Sequence, residues 1–429
     1  VEEDPLAAKY STIGVERSVR PAETIRRVVP LLEKIGVSRV GEVTHLDRNG
    51  LPNFVAVRPR EAGRGISYYN GKGATRAQAR ASAIMEAVER ASGESCSLPV
   101  VRASYRQLSL EAKAVDPIEL LAPRAPGDLA DVRLEWVLGE DAIAGVPRYV
   151  PLNAVVTPYR PVDAQAPWHS STNGLASGNT LDEAICHALC EVIERDAMAL
   201  DQAAVRVRGG VDAVLEGLGV AQSPPRPKRN TLIDPDTLPS RPARILKRLR
   251  LAGLRVYLHD ITSDVGVATV HCTLAERLVG GRHAMHGGYG CHPDARVAVV
   301  RALTEAAQSR AGCIQGGRED LPEFAAVPPP LIDPDEISGL SPARSYDDIP
   351  TVEHRRVDED VAWLLARLSS AGFDQAVVVE LTRPDLGLPV VRVVVPRAET
   401  WAAFHLHSHR GTLGPRSVRR FTRGAGEHE

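Results

Sequence analysis

Three times along its 429 residues the chain repeats one pattern: a glycine-rich stretch, a residue able to cap a helix, and an alanine-rich periodic run. Gly73-Ala74-Thr75 leads into Ser82-Ala83-Ile84-Met85-Glu86-Ala87-Val88-Glu89-Arg90. Gly178-Asn179-Thr180 leads into His187-Ala188-Leu189-Cys190-Glu191-Val192-Ile193-Glu194-Arg195. His292-Pro293-Asp294 leads into Arg301-Ala302-Leu303-Thr304-Glu305-Ala306-Ala307-Gln308. Thr75, Thr180 and Asp294 fall in register, where a side-chain oxygen accepts the unpaired N–H groups of a first helical turn. The pattern predicts three capped helices. Each is expected to be reached through a Gly-rich turn: Gly71-Lys72-Gly73, Asn173-Gly174 to Gly178, and Gly287-Gly288-Tyr289-Gly290.

A second repeat runs helix, strand, turn, strand. Ala243 to Gly253 reads as a helix before strands at 255–259 and 267–270, and Val361 to Gly372 as a helix before strands at 376–379 and 390–395. Strands joined by short turns pair antiparallel. Helices alternating with such hairpins predict an α/β (α+β) fold, a layered sandwich of mainly antiparallel strands and helices, and not a parallel doubly wound sheet. One catalytic unit is expected over 1–429, with an N-terminal segment 1–62, a motif-bearing core 63–315, an irregular linker 316–355 and a C-terminal helix–hairpin repeat 356–429. The Pro-rich stretches at 223–229 and 328–330 read as surface loops.

Composition narrows the function classes. A net charge of −2 gives no bulk attraction to nucleic acid or an anionic membrane. The start, Val1-Glu2-Glu3-Asp4, lacks the basic and apolar regions of a secretory signal, and the longest apolar runs are strand-length. Six scattered cysteines do not make a disulfide framework. The expectation is a cytoplasmic protein with no nucleic-acid or membrane partner.

On a helix, residues three and four apart share a face. Ser82, Glu86 and Glu89 form one polar stripe; Glu183, His187, Glu191 and Glu194 form another. Taken singly, each stripe reads as a solvated face with Glu86–Arg90 and Glu191–Arg195 pairs worth ~0.3–0.5 kcal/mol each. The recurrence of Glu-x-x-Glu-Arg after matching segments favours a site. Crowded carboxylates repel unless cations lie between them, and hard oxygen ligands without supporting Cys or several His suit Mg2+. Arg90, Arg195 and Arg301 would meet phosphate oxygens as forks. The constellation reads as a nucleoside triphosphate held through several metal ions. Neither a Walker A sequence around Gly71-Lys72-Gly73 nor a G-x-G-x-x-G at Gly63 to Tyr68 is present, so if ATP is bound it is bound by another, non-Walker architecture.

The segments Tyr69 to Glu94, Thr172 to Asp196 and Arg301 to Arg310, with Arg17 to Pro59 and Asp385 to Arg392, resemble the YcaO family over nearly the whole chain. The resemblance implies an ATP- and Mg2+-dependent enzyme that phosphorylates a peptide backbone amide oxygen while a nucleophile adds to the amide carbon. By motif it implies Glu86, Glu89, Glu183, Glu191 and Glu194 as metal ligands. It implies Ser82, Asn173, Arg195, Arg301, Glu305, Arg17 and Thr24 as ATP-binding residues. No general base is identified. His187 departs from the family's usual smaller or amide residue.

The nucleophile sets the product: a neighbouring Cys, Ser or Thr gives an azoline, external sulfide a thioamide. The tail Thr422 to Glu429 lacks alternating prolines, and the expectation is a chain without a fused N-terminal recognition domain. The chain therefore looks like the stand-alone archaeal proteins that thioamidate a glycine in the α subunit of methyl-coenzyme M reductase. Expected partners are a peptide or protein substrate and sulfide or a sulfur-donor protein, with an accessory protein and a homodimer left open. An azoline-forming cyclodehydratase acting on a ribosomal peptide is the alternative. A nucleotide-binding accessory protein for a sulfur-inserting enzyme is the alternative of another class. Cys186 and Cys190 read as buried thiols rather than zinc ligands, and His405, His407 and His409 as a strand face without a metal.

Overall fold

The computed structural model describes residues 8–60, 66–94, 97–120, 129–161, 164, 170–204, 231–277, 283–317, 344–400 and 414–422. The two Pro-rich stretches, the alternating histidines 405–409 and the tail beyond 422 lie outside them.

A short hairpin, β1 (Tyr10–Thr12) and β2 (Val15–Arg17), precedes helix α1 (Pro21–Val28). Strands β3 (Arg39–Glu42), β4 (Asn53–Val57) and β5 (Tyr68–Lys72) form an antiparallel sheet that feeds α2 (Arg76–Gly93). After β6 (Val101–Ser104), the single turn α3 (Tyr105–Leu108), β7 (Arg133–Asp141), β8 (Val146–Pro151) and β9 (Leu175–Ser177) comes α4 (Leu181–Gln202). Helix α5 (Ser240–Leu251) opens a second three-stranded sheet, β10 (Arg255–Asp260), β11 (Thr269–Arg277) and β12 (His283–Cys291), which feeds α6 (Ala295–Gln315). Helix α7 (Val357–Ser370) precedes the pair β13 (Val377–Glu380) and β14 (Val390–Val394), and α8 (Pro415–Thr422) follows. The central sheet runs β6-β7-β13-β14-β9, with β8 paired to β7, and every pairing between named strands is antiparallel. The layered α+β architecture and both helix–hairpin repeats are those expected. No described helix is long and apolar enough to cross a membrane.

The valine run of β14 shows how the layers close. Val390 and Val394 pack in the core with Ala83, Ile84, Ala87 and Val88 of α2. Val391 and Val393 pack on the other side with Ala188, Leu189, Val192 and Ile193 of α4. A strand covered on both faces has no polar side to alternate with, so its sequence is nearly continuous in apolar residues. The third core lies between the β10–β12 sheet and α6, around Leu258, Val270, Leu274, Ala302 and Leu303.

All three caps form. Thr75 Oγ1 accepts the Gln78 N–H in a reciprocal capping box, Thr180 Oγ1 accepts that of Glu183, and Asp294 accepts that of Arg296. The expected Gly-rich turns are instead largely strands, and the reason is steric. A Cβ on Gly71 would lie 2.2 Å from Ala79 O and Ala83 N; one on Gly288 would lie 2.1 Å from Ala306 N; one on Gly290 would lie 2.1 Å from Ala298 O. Each glycine lets its helix backbone rest directly on the strand, and the alanines opposite complete the contact. Gly288→Ala should therefore destabilise by ~1–3 kcal/mol, because the obstacle is backbone. Gly287→Ala, whose Cβ would meet only His271 Nε2 at 3.5 Å, should cost far less. Thermal unfolding of the two variants checks this.

Candidate functional site

Glycine–alanine packing seats α2 on β5 and α6 on β12, and the polar stripes of α2, α4 and α6 open into one cavity of about 530 Å3. It is walled by Glu86, Glu89 and Ser82 from α2, by Glu183, His187, Glu191, Glu194 and Arg195 from α4, and by Arg301 and Glu305 from α6. The N-terminal hairpin and α1 contribute Arg17 and Thr24. Asn173 does not line it. Asn179, which sequence reasoning passed over, does: its side-chain oxygen accepts the Thr24 hydroxyl at 2.8 Å, and its N–H and Nδ2 both donate to Glu183 Oε2, at 2.7 and 2.8 Å. Its place immediately before a helix cap was the available signal. Glu183 also accepts the Ser18 N–H. Three donors occupy this carboxylate, so its first task is to fasten the start of α4 to the N-terminal hairpin.

Cations interleave with the carboxylates. Arg90 Nε meets Glu86 Oε1 at 2.8 Å, and Arg195 reaches Glu194 at 3.3 Å and Glu191 at 3.9 Å. Lys72, at the end of β5, is ion-paired with Glu305, whose other oxygen accepts the Tyr289 N–H at 3.3 Å. Ser177 N–H donates to Glu89 Oε2 at 3.2 Å.

Burial dominates the electrostatics. It lifts the Glu191 carboxyl to about 7 despite Arg195, and raises Glu194 and, further, Glu89, where Glu86 and Glu191 add repulsion. In Glu305 burial works upward too, but Lys72 and Arg195 outweigh it and hold the carboxyl below its ordinary value. Burial, with Arg301, Arg17 and Lys72, keeps His187 neutral. Sequence reasoning also missed Arg392 on β14. It is 4% exposed, lies in the field of Glu191 and Glu89, and is held down to about 10 by burial, with Nε and Nη1 unpartnered. The buried-thiol reading holds for Cys186 and Cys190; the hydrogen bond between them and burial raise Cys186.

Carboxylates raised in this way lack sufficient positive charge around them. Hard divalent ions among their oxygens would supply it, and the guanidinium forks suit a polyphosphate, so the residues present fit Mg2+ with a nucleotide. A pH dependence follows. An acid whose pKa is higher folded than unfolded favours the fold while protonated, below about 4.5, and that advantage is lost as the pH rises through about 7. Glu191 is 21% exposed to the cavity, which screens the effect to ~1–2 kcal/mol. Without Mg2+, Glu191→Gln should be more stable than the unaltered protein at pH 8 and equal to it near pH 5. Adding Mg2+ at pH 8 should reverse the order in a thermal unfolding scan.

A family sequence model described as YcaO cyclodehydratase, ATP- and Mg2+-binding, matches residues 70–399. The chain is 38% identical over 405 residues to an uncharacterized protein of Methanothermobacter thermautotrophicus, covering 90% of this chain and 96% of that one. The solved structure of YcaO from Methanopyrus kandleri bound with AMPPCP and Mg2+ superposes with a TM-score of 0.70 at 26% identity, over 94% of this chain and 97% of that one. A heterocyclase solved in complex with substrate and cofactor superposes with a TM-score of 0.73 at 21% identity, over 92% of this chain and 54% of that one, a likeness of fold.

Proposed function

The chain belongs to the YcaO family of ATP- and Mg2+-binding cyclodehydratases, and from that premise we propose that it activates a backbone amide of a peptide or protein for attack by sulfide. Sulfur bonds to the amide carbon, the amide oxygen leaves as phosphate, and the product is a thioamide, with a glycine of the methyl-coenzyme M reductase α subunit as the substrate. The nucleotide and its metal ions, when bound, supply the phosphoryl group and the positive charge that this conversion needs. Glu86, Glu89, Glu191 and Glu194 would hold the metal ions, with Glu183 sharing its remaining lone-pair capacity. Arg195 and Arg301 would grip phosphate oxygens. Ser82, Arg17, Thr24 and Glu305 would orient the nucleotide, with Asn179 rather than Asn173 beside them.

The observation that carries the ATP reading is the single cavity in which those carboxylates and guanidiniums meet. The match to the archaeal chains along nearly the whole of both supports the sulfide branch. The fold likeness to a heterocyclase keeps azoline formation as the second reading. Mass spectrometry of a glycine-containing and a cysteine-containing peptide, each incubated with the protein, ATP, Mg2+ and sulfide, separates them. Replacement of one oxygen by sulfur supports thioamidation, and loss of one water supports azoline formation. Binding of ATP without turnover or modification would leave an accessory role.

A further inference from the structure

Among the described residues β12 pairs with one strand, β11, and so presents an edge. The outward main-chain groups of an edge strand form a template for another extended chain. Which groups point outward follows from one hydrogen bond: Tyr289 turns its N–H away from β11 to Glu305 Oε1, at 3.3 Å. Main-chain direction alternates along an antiparallel strand. Gly287 and Met285 therefore turn their N–H and C=O groups to that same outward side, while His286 and Gly288 turn theirs to Leu274 and Cys272 of β11.

The outward side is the side of the cavity. Glu305 lines it, and so does Gly287, which is exposed and has no side chain to stand over its own main chain. Farther along α6 the wall continues through Ser309 and Gly312, small residues that leave room for a backbone to approach. Towards Tyr289 the edge closes. Glu305 holds the Tyr289 N–H and is paired with Lys72, and Arg195 lies in the field of both Glu305 and Tyr289. The edge is thus open at Met285 and Gly287 and ends at the charges of the phosphate site.

We propose that the β12 edge at Met285 and Gly287 takes the substrate peptide as an added strand, an inference that rests on the backbone-amide reading above. The group to be modified is main chain, and a glycine offers no side chain to grip. Main-chain hydrogen bonds are then the recognition available at that residue, and strand addition supplies them. It also holds the peptide extended, so that its carbonyls alternate in direction. Pairing cannot continue past Gly287, because Glu305 occupies the next outward N–H. The amide that follows the last paired position is therefore delivered towards Lys72, Glu305 and Arg195.

The test uses a peptide spanning the proposed glycine of the methyl-coenzyme M reductase α subunit, and a series in which one amide N–H at a time is replaced by an ester oxygen. KM and kcat are measured by mass spectrometry with ATP, Mg2+ and sulfide. On the unaltered protein the replacement should raise KM roughly threefold to tenfold at two alternate positions on one side of the glycine, and little at the position between them. Gly287→Pro removes an outward N–H that β11 does not use, a change strand edges tolerate. It should raise KM for the unsubstituted peptide by a similar factor with kcat nearly retained, and calorimetric binding of Mg-ATP shows whether the variant is folded; if it is not, the ester series decides. Equal effects at successive positions, effects that fade evenly with distance from the glycine, or a folded Gly287→Pro protein with unchanged KM would overturn the added strand and leave amide activation standing. An unaltered protein that binds Mg-ATP but modifies none of these peptides would overturn both.

Discussion

Glu191→Gln and Glu194→Gln should each lower Mg2+-dependent ATP turnover by about 10²-fold or more, with the fold intact. Both carboxylates belong to α4, both face the cavity, and burial pushes both upward. An amide of the same shape keeps the packing of α4 and removes one anionic metal ligand, a change of several kcal/mol in a partly desolvated transition state. Misfolding is a poor alternative explanation, because neutralising Glu191 should stabilise the metal-free protein at pH 8. The measurement is phosphate release against Mg2+ concentration, with a thermal unfolding scan of each variant alongside. Unchanged turnover and an unchanged Mg2+ midpoint in both variants would remove these residues from the metal site.

Much of this site could be read before the structure because the repeat carried it. Thr75, Thr180 and Asp294 mark where three helices begin, and a helix start together with a 3.6-residue period fixes which side chains share a face. Glu86, Glu89, Glu191 and Glu194 could therefore be placed on common stripes from spacing alone. The role of the glycines was less legible. A glycine in a turn and one that lets a helix rest on a strand look the same in a single sequence, and only the partner backbone, such as Ala302 and Ala306 opposite Gly288, tells them apart. Lys72, Asn179 and Arg392 were missed for a related reason. Each sits among residues with an ordinary local purpose, and only the meeting of β5, β14, α1, α2, α4 and α6 gives it charged or hydrogen-bonding neighbours.

Arg195 and Arg90 separate a phosphate contact from a structural pair. Both follow Glu-x-x-Glu on matching helices and both face the cavity. Arg90 is held tightly, its Nε hydrogen-bonded to Glu86 Oε1 at 2.8 Å, one turn away on the same helix. Arg195 lies 3.3 Å from Glu194 and 3.9 Å from Glu191, close enough for attraction but without a hydrogen bond among the described residues. Its N–H groups are thus poised in an anionic field with donor capacity left for phosphate oxygens. Removing such a group from a partly desolvated site should raise the barrier by several kcal/mol, roughly 10²-fold or more in rate. Arg195→Ala should accordingly abolish ATP-dependent modification of a substrate peptide and weaken nucleotide binding measured by calorimetry. Arg90→Ala removes a cation already committed to Glu86, with less donor capacity left for phosphate, and should reduce turnover only partly. Arg195→Lys sharpens the comparison: it restores the charge but not the planar fork, so it should recover nucleotide affinity better than turnover. Equal, mild effects of the two alanine variants would mean that Glu-x-x-Glu-Arg is a helix-stabilising repeat and that the phosphates bind elsewhere.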